Sequence, residues 1–109
     1  MSNQSEYLEP WVATGEYADN LVKELEREVT EGHALWKVKT RAIAQRSDSD
    51  DVLFEIECQH GKYAVVHLTW SGEPEPDARW PDTRIFATID SWAEECMKAD
   101  HAKFIGSGD

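Results

Sequence analysis

Two segments of alternating apolar and polar residues, separated only by Gln59-His60-Gly61, constrain the fold more than any other feature of the chain. A period of two is typical of strands with one buried face, and a short connection ending in glycine is typical of a tight hairpin. A turn closed by a left-handed Gly61 pairs Val52 with Leu68 and Phe54 with Val66. This register places the even-numbered side chains of both strands on the core face and the odd-numbered ones in water.

A helix is predicted before the hairpin, from about residue 16 to residue 30. Its apolar residues recur at helical spacing, which indicates one buried stripe. The stripe consists of Ala18, Leu21, Val22, Leu25 and Val29. Glu24, Glu26 and Glu28 fall outside it and are expected on the solvated side, and Gly32 is placed to follow the helix end.

Three more elements complete the pattern. Residues 34–45 alternate with a period of two, with Trp36, Val38, Ala42 and Ala44 facing inward, and residues 83–88 form a short strand. Ser91 and Glu94 match a capping box, so a second helix is expected to start there. Its inward residues are Ile89, Trp92, Ala93, Cys96 and Met97.

The element order is therefore α-β-β-β-β-α, which predicts an α+β fold. The simplest arrangement is a four-stranded antiparallel sheet with both helices on one face and the other face wet. Residues 1–109 read as a single domain. Residues 1–13 are expected to be a loosely held arm, from which Trp11 and Val12 could dock on the core, and residues 105–109 a flexible tail.

The charge balance excludes several function classes. The chain of 109 residues carries 22 acidic and 11 basic side chains, a net charge of −11. Such a chain is poorly suited to nucleic acid or to an anionic membrane surface, both of which require cations. It has no apolar run of membrane-spanning length and no signal-peptide pattern, so a cytoplasmic location is expected. The negative charge has two interpretations: it keeps the protein soluble, or it attracts a basic partner.

Metal and cofactor sites are not predicted. Cys58 and Cys96 are expected to be free thiols that act as small core residues. Cys58 and His60 form half of a zinc-ligand pattern that nothing completes, and the acidic turn at residues 48–50 lacks the glycine and glutamate of a calcium loop. No cofactor-binding motif is present.

The wet sheet face carries one candidate catalytic pair, His67 with Glu55. In the predicted register His67 lies opposite Leu53 and diagonal to Glu55, within reach of a carboxylate that could hold the imidazole as a general base. The alternative is an ordinary surface histidine, because no nucleophile or second carboxylate pair joins it. Tyr63 and Thr69 share this face and are candidate binding residues.

The connection over residues 71–83 has no helix or strand pattern and is longer than most loops of compact domains. It contains three prolines and Trp80, and Trp70 comes directly before it. One interpretation is a structural flap in which Trp80 covers the sheet edge. The other makes Trp70, Arg79 and Trp80 the rim of a ligand or partner surface.

The stretches "YAVVHLTWSG", "RWPDT" and "SWAEECM" resemble a group of small bacterial proteins of similar length. The resemblance spans residues 33–104. It implies a stand-alone bacterial α+β domain and assigns no catalytic residue.

Three functions are consistent with these observations. The first is a protein-interaction module that binds a basic partner through the wet sheet face and the 71–83 loop. The second is a small ligand-binding domain or enzyme with His67 and Glu55 beneath Trp70 and Trp80. The third is self-association through an apolar patch of Ile43, Leu53 and Val65 on the wet face.

Overall fold

The computed structural model describes residues 7–58 and 61–106. It confirms an α+β fold built on an antiparallel sheet, and the sheet has five strands rather than four, in the order β1-β2-β3-β4-β5. The strands are β1 Trp11–Ala13, β2 Thr40–Arg46, β3 Asp51–Cys58, β4 Gly61–His67 and β5 Asp82–Phe86.

The helical segments lie where the apolar spacing predicts them. A 3-10 turn, Gly15–Tyr17, leads into α1, Ala18–Glu28. The C-terminal helix consists of α2 Ile89–Trp92, a π-helical turn Ala93–Met97 and α3 Lys98–Gly106 in succession. Its capping box joins Thr88 to Ser91, three residues before the predicted one, because the Thr88 hydroxyl accepts the Ser91 N–H and the Ser91 hydroxyl accepts the Thr88 N–H.

One core lies between α1 and the even-numbered face of the β3–β4 hairpin. The apolar stripe of α1 packs there as predicted. The buried members are Leu21, Leu25, Val29, Leu35, Ala42, Val52, Phe54, Ile56, Ala64, Val66 and Leu68.

A second core covers the opposite face of the sheet, so the prediction of two helices on one face is wrong. Trp92, Cys96 and Met97 of the C-terminal helix pack on this face. Leu53 and Val65, expected in water, are 0% and 7% exposed because the helix lies over them. The hairpin is therefore buried on both faces over part of its length.

The N-terminal segment completes the second core. Trp11 is fully buried, packs edge-to-face on Trp92 with ring centroids 5.2 Å apart, and donates its indole N–H to Asp100 at 2.9 Å. Because residues 11–13 form an edge strand, that part of the predicted arm is firmly held. Residues 1–6 of the arm and 107–109 of the tail lie outside the described residues.

The β3–β4 register differs from the prediction by two residues. Gly61 lies within β4 opposite Cys58 and does not adopt a left-handed conformation, while residues 59–60 lie outside the described residues. An irregularity between Glu55 and Cys58 then shifts the pairing, so that Val52 faces Val66 and Phe54 faces Ala64. A shift of two preserves the face of every side chain, and the even-numbered core survives.

Strand β2 also departs from the prediction. Residues 34–37 form turns, and Trp36, expected inside, is 39% exposed. A bulge between Ala42 and Ala44 places Ala42 in the first core and Ala44 in the second. The inserted residue reverses the alternation, which a strict period of two cannot anticipate.

We expect Leu53→Ala to lower the free energy of unfolding by about 2–5 kcal/mol, because truncating a buried leucine leaves a cavity. The matched control is Glu57→Ala, an exposed odd-numbered residue of the same strand, with an expected change within about 0.5 kcal/mol. Urea titration followed by fluorescence measures both variants. Small and equal changes in the free energy of unfolding for both variants would mean that the odd-numbered face of β3 is exposed to solvent.

Candidate functional site

The connection between β4 and β5, residues 68–81 and here called the β4–β5 loop, begins on a buried carboxyl group. Glu28, in the last turn of α1, is 0% exposed. Its carboxyl oxygens accept the backbone N–H groups of Thr69 at 2.9 Å and Trp70 at 2.7 Å. These two donors have no strand partner, so the glutamate takes the place of a neighbouring strand.

A second buried carboxyl group, one helical turn earlier, extends this contact. Glu24 is 2% exposed and accepts the Gly72 N–H and the Arg27 guanidinium, each at 3.1 Å. Glu24 and Glu28 also share a side-chain hydrogen bond, as expected for residues one turn apart. We call these two residues the carboxyl pair.

The surroundings of the carboxyl pair shift the pKa values of its two members in opposite directions. Burial, together with the shared hydrogen bond, raises the pKa of Glu28 to about 7. The hydrogen bond from Glu28, the Gly72 N–H and Arg27 lower the pKa of Glu24. Below about pH 7 the pair therefore holds one proton on Glu28 and one negative charge on Glu24, which avoids two adjacent buried charges.

Further contacts fix the middle of the loop. The Glu75 N–H donates to the Glu28 carbonyl at 3.0 Å. The Glu75 carboxylate accepts the hydroxyl groups of Thr69 at 2.6 Å and Ser71 at 3.0 Å. Thr69, a predicted binding residue, thus stabilises the loop through a hydrogen bond within it.

His33 holds the end of the loop. Its side chain is buried, and its Nδ1 accepts the Leu35 N–H at 2.9 Å, so that Nε2 carries the proton and donates to the Pro81 carbonyl at 2.9 Å. Gly32, with φ of +102°, lies where an added Cβ would approach Ala78 to 3.3 Å. Gly32 therefore serves loop packing rather than the end of α1.

The ordered loop displays two tryptophans. Trp70 is 49% exposed and Trp80 is 48% exposed. The Trp70 backbone has φ of +59°, which is unfavourable for a residue with a large side chain. Arg79 is tied to Asp77, whose carboxylate accepts its guanidinium at 2.6 Å, and that guanidinium holds the pKa of Asp77 at about 2.

Trp70 and His67 do not share a site. Trp70 lines a cavity of about 530 Å³ with Tyr17 of the 3-10 turn and residues of α1, among them Lys23. His67 lines a separate cleft of about 210 Å³ between the sheet and the C-terminal helix, with Cys96 and Asp100. The predicted arrangement of His67 beneath the tryptophans is therefore not formed.

His67 is also paired differently from the prediction. Because the register is shifted by two, it faces Asp51 rather than Leu53, and its Nδ1 lies 2.7 Å from Asp51 Oδ1. Glu55 faces Tyr63 and accepts Arg41 at 2.6 Å. The predicted His67–Glu55 pair is thus replaced by an Asp51–His67 pair.

The thiol beside His67 is poorly suited to nucleophilic attack. Cys96 is 4% exposed, and its Sγ donates to Asp100 Oδ2 at 3.4 Å. Burial and the neighbouring Asp100 carboxylate raise the pKa of Cys96 to about 12. The thiolate, which is the reactive form, is therefore scarce at neutral pH.

Sequence reasoning missed the residues that order the loop. The helical spacing places Glu24 and Glu28 in solvent, and the sequence assigns no partner to His33. The available signal was positional, because both glutamates flank the apolar stripe of α1 at a spacing of one turn.

Two observations apply to the described ranges, residues 7–58 and 61–106. No three His, Cys, Asp or Glu side chains among them are grouped so as to hold a metal ion; His60 lies outside these ranges. None of their helices has the length and apolar character needed to cross a membrane. Cys58 and Cys96 do not form a disulfide with each other.

Comparisons of the chain with protein-family models, with curated proteins and with solved structures gave no match. The resemblance to small bacterial proteins therefore stays a prediction.

The carboxyl pair predicts a pH dependence of stability. The Glu28 pKa rises from 4.5 to about 7 on folding, so the folded state binds the proton more tightly. Stability from this group is fully present below pH 4.5 and is lost as the pH rises through about 7. We expect the free energy of unfolding of the wild type to fall by roughly 1–3 kcal/mol between about pH 5 and pH 8 from this source.

Glu28→Gln should remove this component, because an amide does not titrate. Glu26→Gln, an exposed position on the same helix, should retain it. Urea titrations at a series of pH values compare the slopes. A Glu28→Gln slope identical to that of the wild type would contradict the assignment of the proton to the carboxyl pair.

Proposed function

We propose that this protein is a protein-interaction module of the bacterial cytoplasm, which binds a basic partner through the β4–β5 loop. Trp70 and Trp80 are the anchors, and the surrounding carboxylates supply the electrostatic attraction. The partner is a protein surface that combines lysine or arginine side chains with apolar contact area.

The conformation of Trp70 is the observation that carries this proposal. A bulky residue at positive φ costs free energy, and such residues persist where the surrounding structure enforces them. The Glu28 carboxyl enforces it by accepting the Trp70 N–H at 2.7 Å. The result is a half-exposed indole on a backbone that is held in place, and tryptophan is enriched among the residues that dominate binding energy at interfaces.

The order of the loop favours recognition over a mere flap. Groups of α1 and the following turn hold the loop at its beginning, middle and end: the carboxyl pair, the Glu28 carbonyl that accepts the Glu75 N–H, and His33. A loop ordered before binding loses little conformational entropy when a partner docks. A flap that only covered the sheet edge would bury Trp80, which is instead 48% exposed.

Charge complementarity points to a basic partner. The loop and its exit carry Glu73, Glu75, Asp77 and Asp82, whereas Arg79 is paired with Asp77. The whole chain has a net charge of −11. Such a field accelerates encounter with a cationic surface at low salt, and indole faces attract guanidinium and ammonium groups.

The sheet face contributes less than the sequence suggests. The C-terminal helix covers Leu53 and Val65, which removes the support for self-association through that patch. The end of the sheet near Tyr63 stays accessible, where Arg41 and Glu55 form an ion pair. We propose this end as a secondary contact region.

An enzymatic role has weaker support. The Asp51–His67 pair could hold an imidazole as a general base, but the neighbouring Cys96 is kept protonated by its high pKa. Neither predicted catalytic residue lies with Trp70 in its cavity.

The proposal is tested by affinity purification from bacterial lysate with quantitative mass spectrometry. Trp70→Gly relieves the positive φ, so its free energy of unfolding should change by less than about 1 kcal/mol. We expect a basic protein captured by the wild type to be depleted by about tenfold or more with Trp70→Gly and with Trp80→Ala.

Trp36→Ala is the matched control, because Trp36 is 39% exposed and lies outside the loop. It should capture the partner like the wild type. Raising the salt concentration should weaken capture. A captured protein that survives Trp70→Gly and Trp80→Ala, or one without excess positive charge, would refute the proposal.

A further inference from the structure

We propose that the cavity between α1 and Trp70 binds a small aromatic carboxylate. This site lies on the helix side of Trp70 and does not depend on a protein partner. Its volume of about 530 Å³ is within the range of small-molecule pockets.

Aromatic side chains form two of its walls. Tyr17, at the start of α1, is 56% exposed, and Trp70 is 49% exposed, and both line the cavity. The backbone of Trp70 is held by Glu28 at 2.7 Å. Two aromatic surfaces favour a flat ring, which can pack face-to-face or edge-to-face against them.

Cationic and amide groups form the rest of the polar lining. Lys23 and Arg27 lie one turn apart on α1, and Asn20 and Gln45 add amide groups. No acidic side chain is among the residues described as lining the cavity. In a chain with twice as many acidic as basic residues, this local reversal of charge marks a site for an anion.

Internal ion pairs occupy these cations only in part. Arg27 is held by Glu24 through Nη1 at 3.1 Å, and its side chain stays 54% exposed. Lys23 makes no ion pair with any described residue. A carboxylate can therefore accept hydrogen bonds from the ammonium and from the remaining guanidinium N–H groups.

A cavity of about 410 Å³ beside Trp36 has the acidic Glu26 in its lining. A cavity of about 550 Å³ at the end of the sheet also lacks this character. It is lined by Lys39, Arg41, Glu55 and Tyr63, and there Arg41 is already paired with Glu55 at 2.6 Å. It offers mixed charges and a single aromatic ring. The α1 cavity is therefore the better match for a ring with a negative charge.

The test is a titration of the full-length protein with 2-naphthoate, followed by ¹H–¹⁵N NMR, with neutral 2-naphthamide as the isosteric comparison. We expect saturable shifts at Trp70 and along α1, with a Kd on the order of 0.1–1 mM. The amide should bind about tenfold more weakly, because it carries no negative charge to pair with the cations.

Lys23→Gln should weaken naphthoate about fivefold without changing naphthamide, and Tyr17→Ala should weaken both. Lys39→Gln, outside the cavity, is the control and should change neither. Absence of saturable shifts, equal affinity for the two probes, or an unchanged naphthoate affinity in Lys23→Gln would each overturn the proposal. Because Lys23 and Tyr17 lie outside the β4–β5 loop, such a failure leaves the partner-binding test unaffected.

Discussion

The buried carboxyl pair of α1 is the constraint on which the functional surface depends. Two adjacent carboxyl groups removed from water are costly unless they share a proton and fill their remaining hydrogen-bonding capacity. Glu24 and Glu28 do both, and the donors they use are backbone N–H groups of the β4–β5 loop. The same hydrogen bonds therefore stabilise the buried carboxyl pair and order the loop. They also hold the backbone that exposes the Trp70 side chain.

The sequence predicts which face of the sheet a side chain lies on better than it predicts which residue lies opposite it on the next strand. The alternation in β3 and β4 identifies the even-numbered core although the register is displaced by two, because such a displacement keeps every face. Leu53 and Val65 could not be assigned in the same way. Their burial depends on Trp11 and the C-terminal helix covering the second face, a tertiary arrangement that strand periodicity does not contain.

The residues of the candidate site likewise differ in how far the sequence indicates them. Trp70 and Trp80 are conspicuous in sequence, as bulky apolar residues before and within a proline-rich connection. Glu28 is not, because glutamate beside an apolar stripe normally faces solvent. His67 shows the limit of register reasoning, since a displacement of two residues exchanges Glu55 for Asp51 as its partner. Predicting a contact between two specific side chains requires the correct register. Predicting the face of a side chain requires only that any error in the register is an even number of residues.

Amide hydrogen exchange at Thr69, Trp70 and Gly72 tests the central claim most directly. If buried carboxyl groups hold the loop, these amides are protected in the wild type despite lacking strand partners. In Glu28→Ala the protection of the Thr69 and Trp70 amides should fall by about tenfold or more, while that of Val66 in β4 stays close to the wild-type value. Unprotected amides in the wild type, or unchanged protection in Glu28→Ala, would contradict the account.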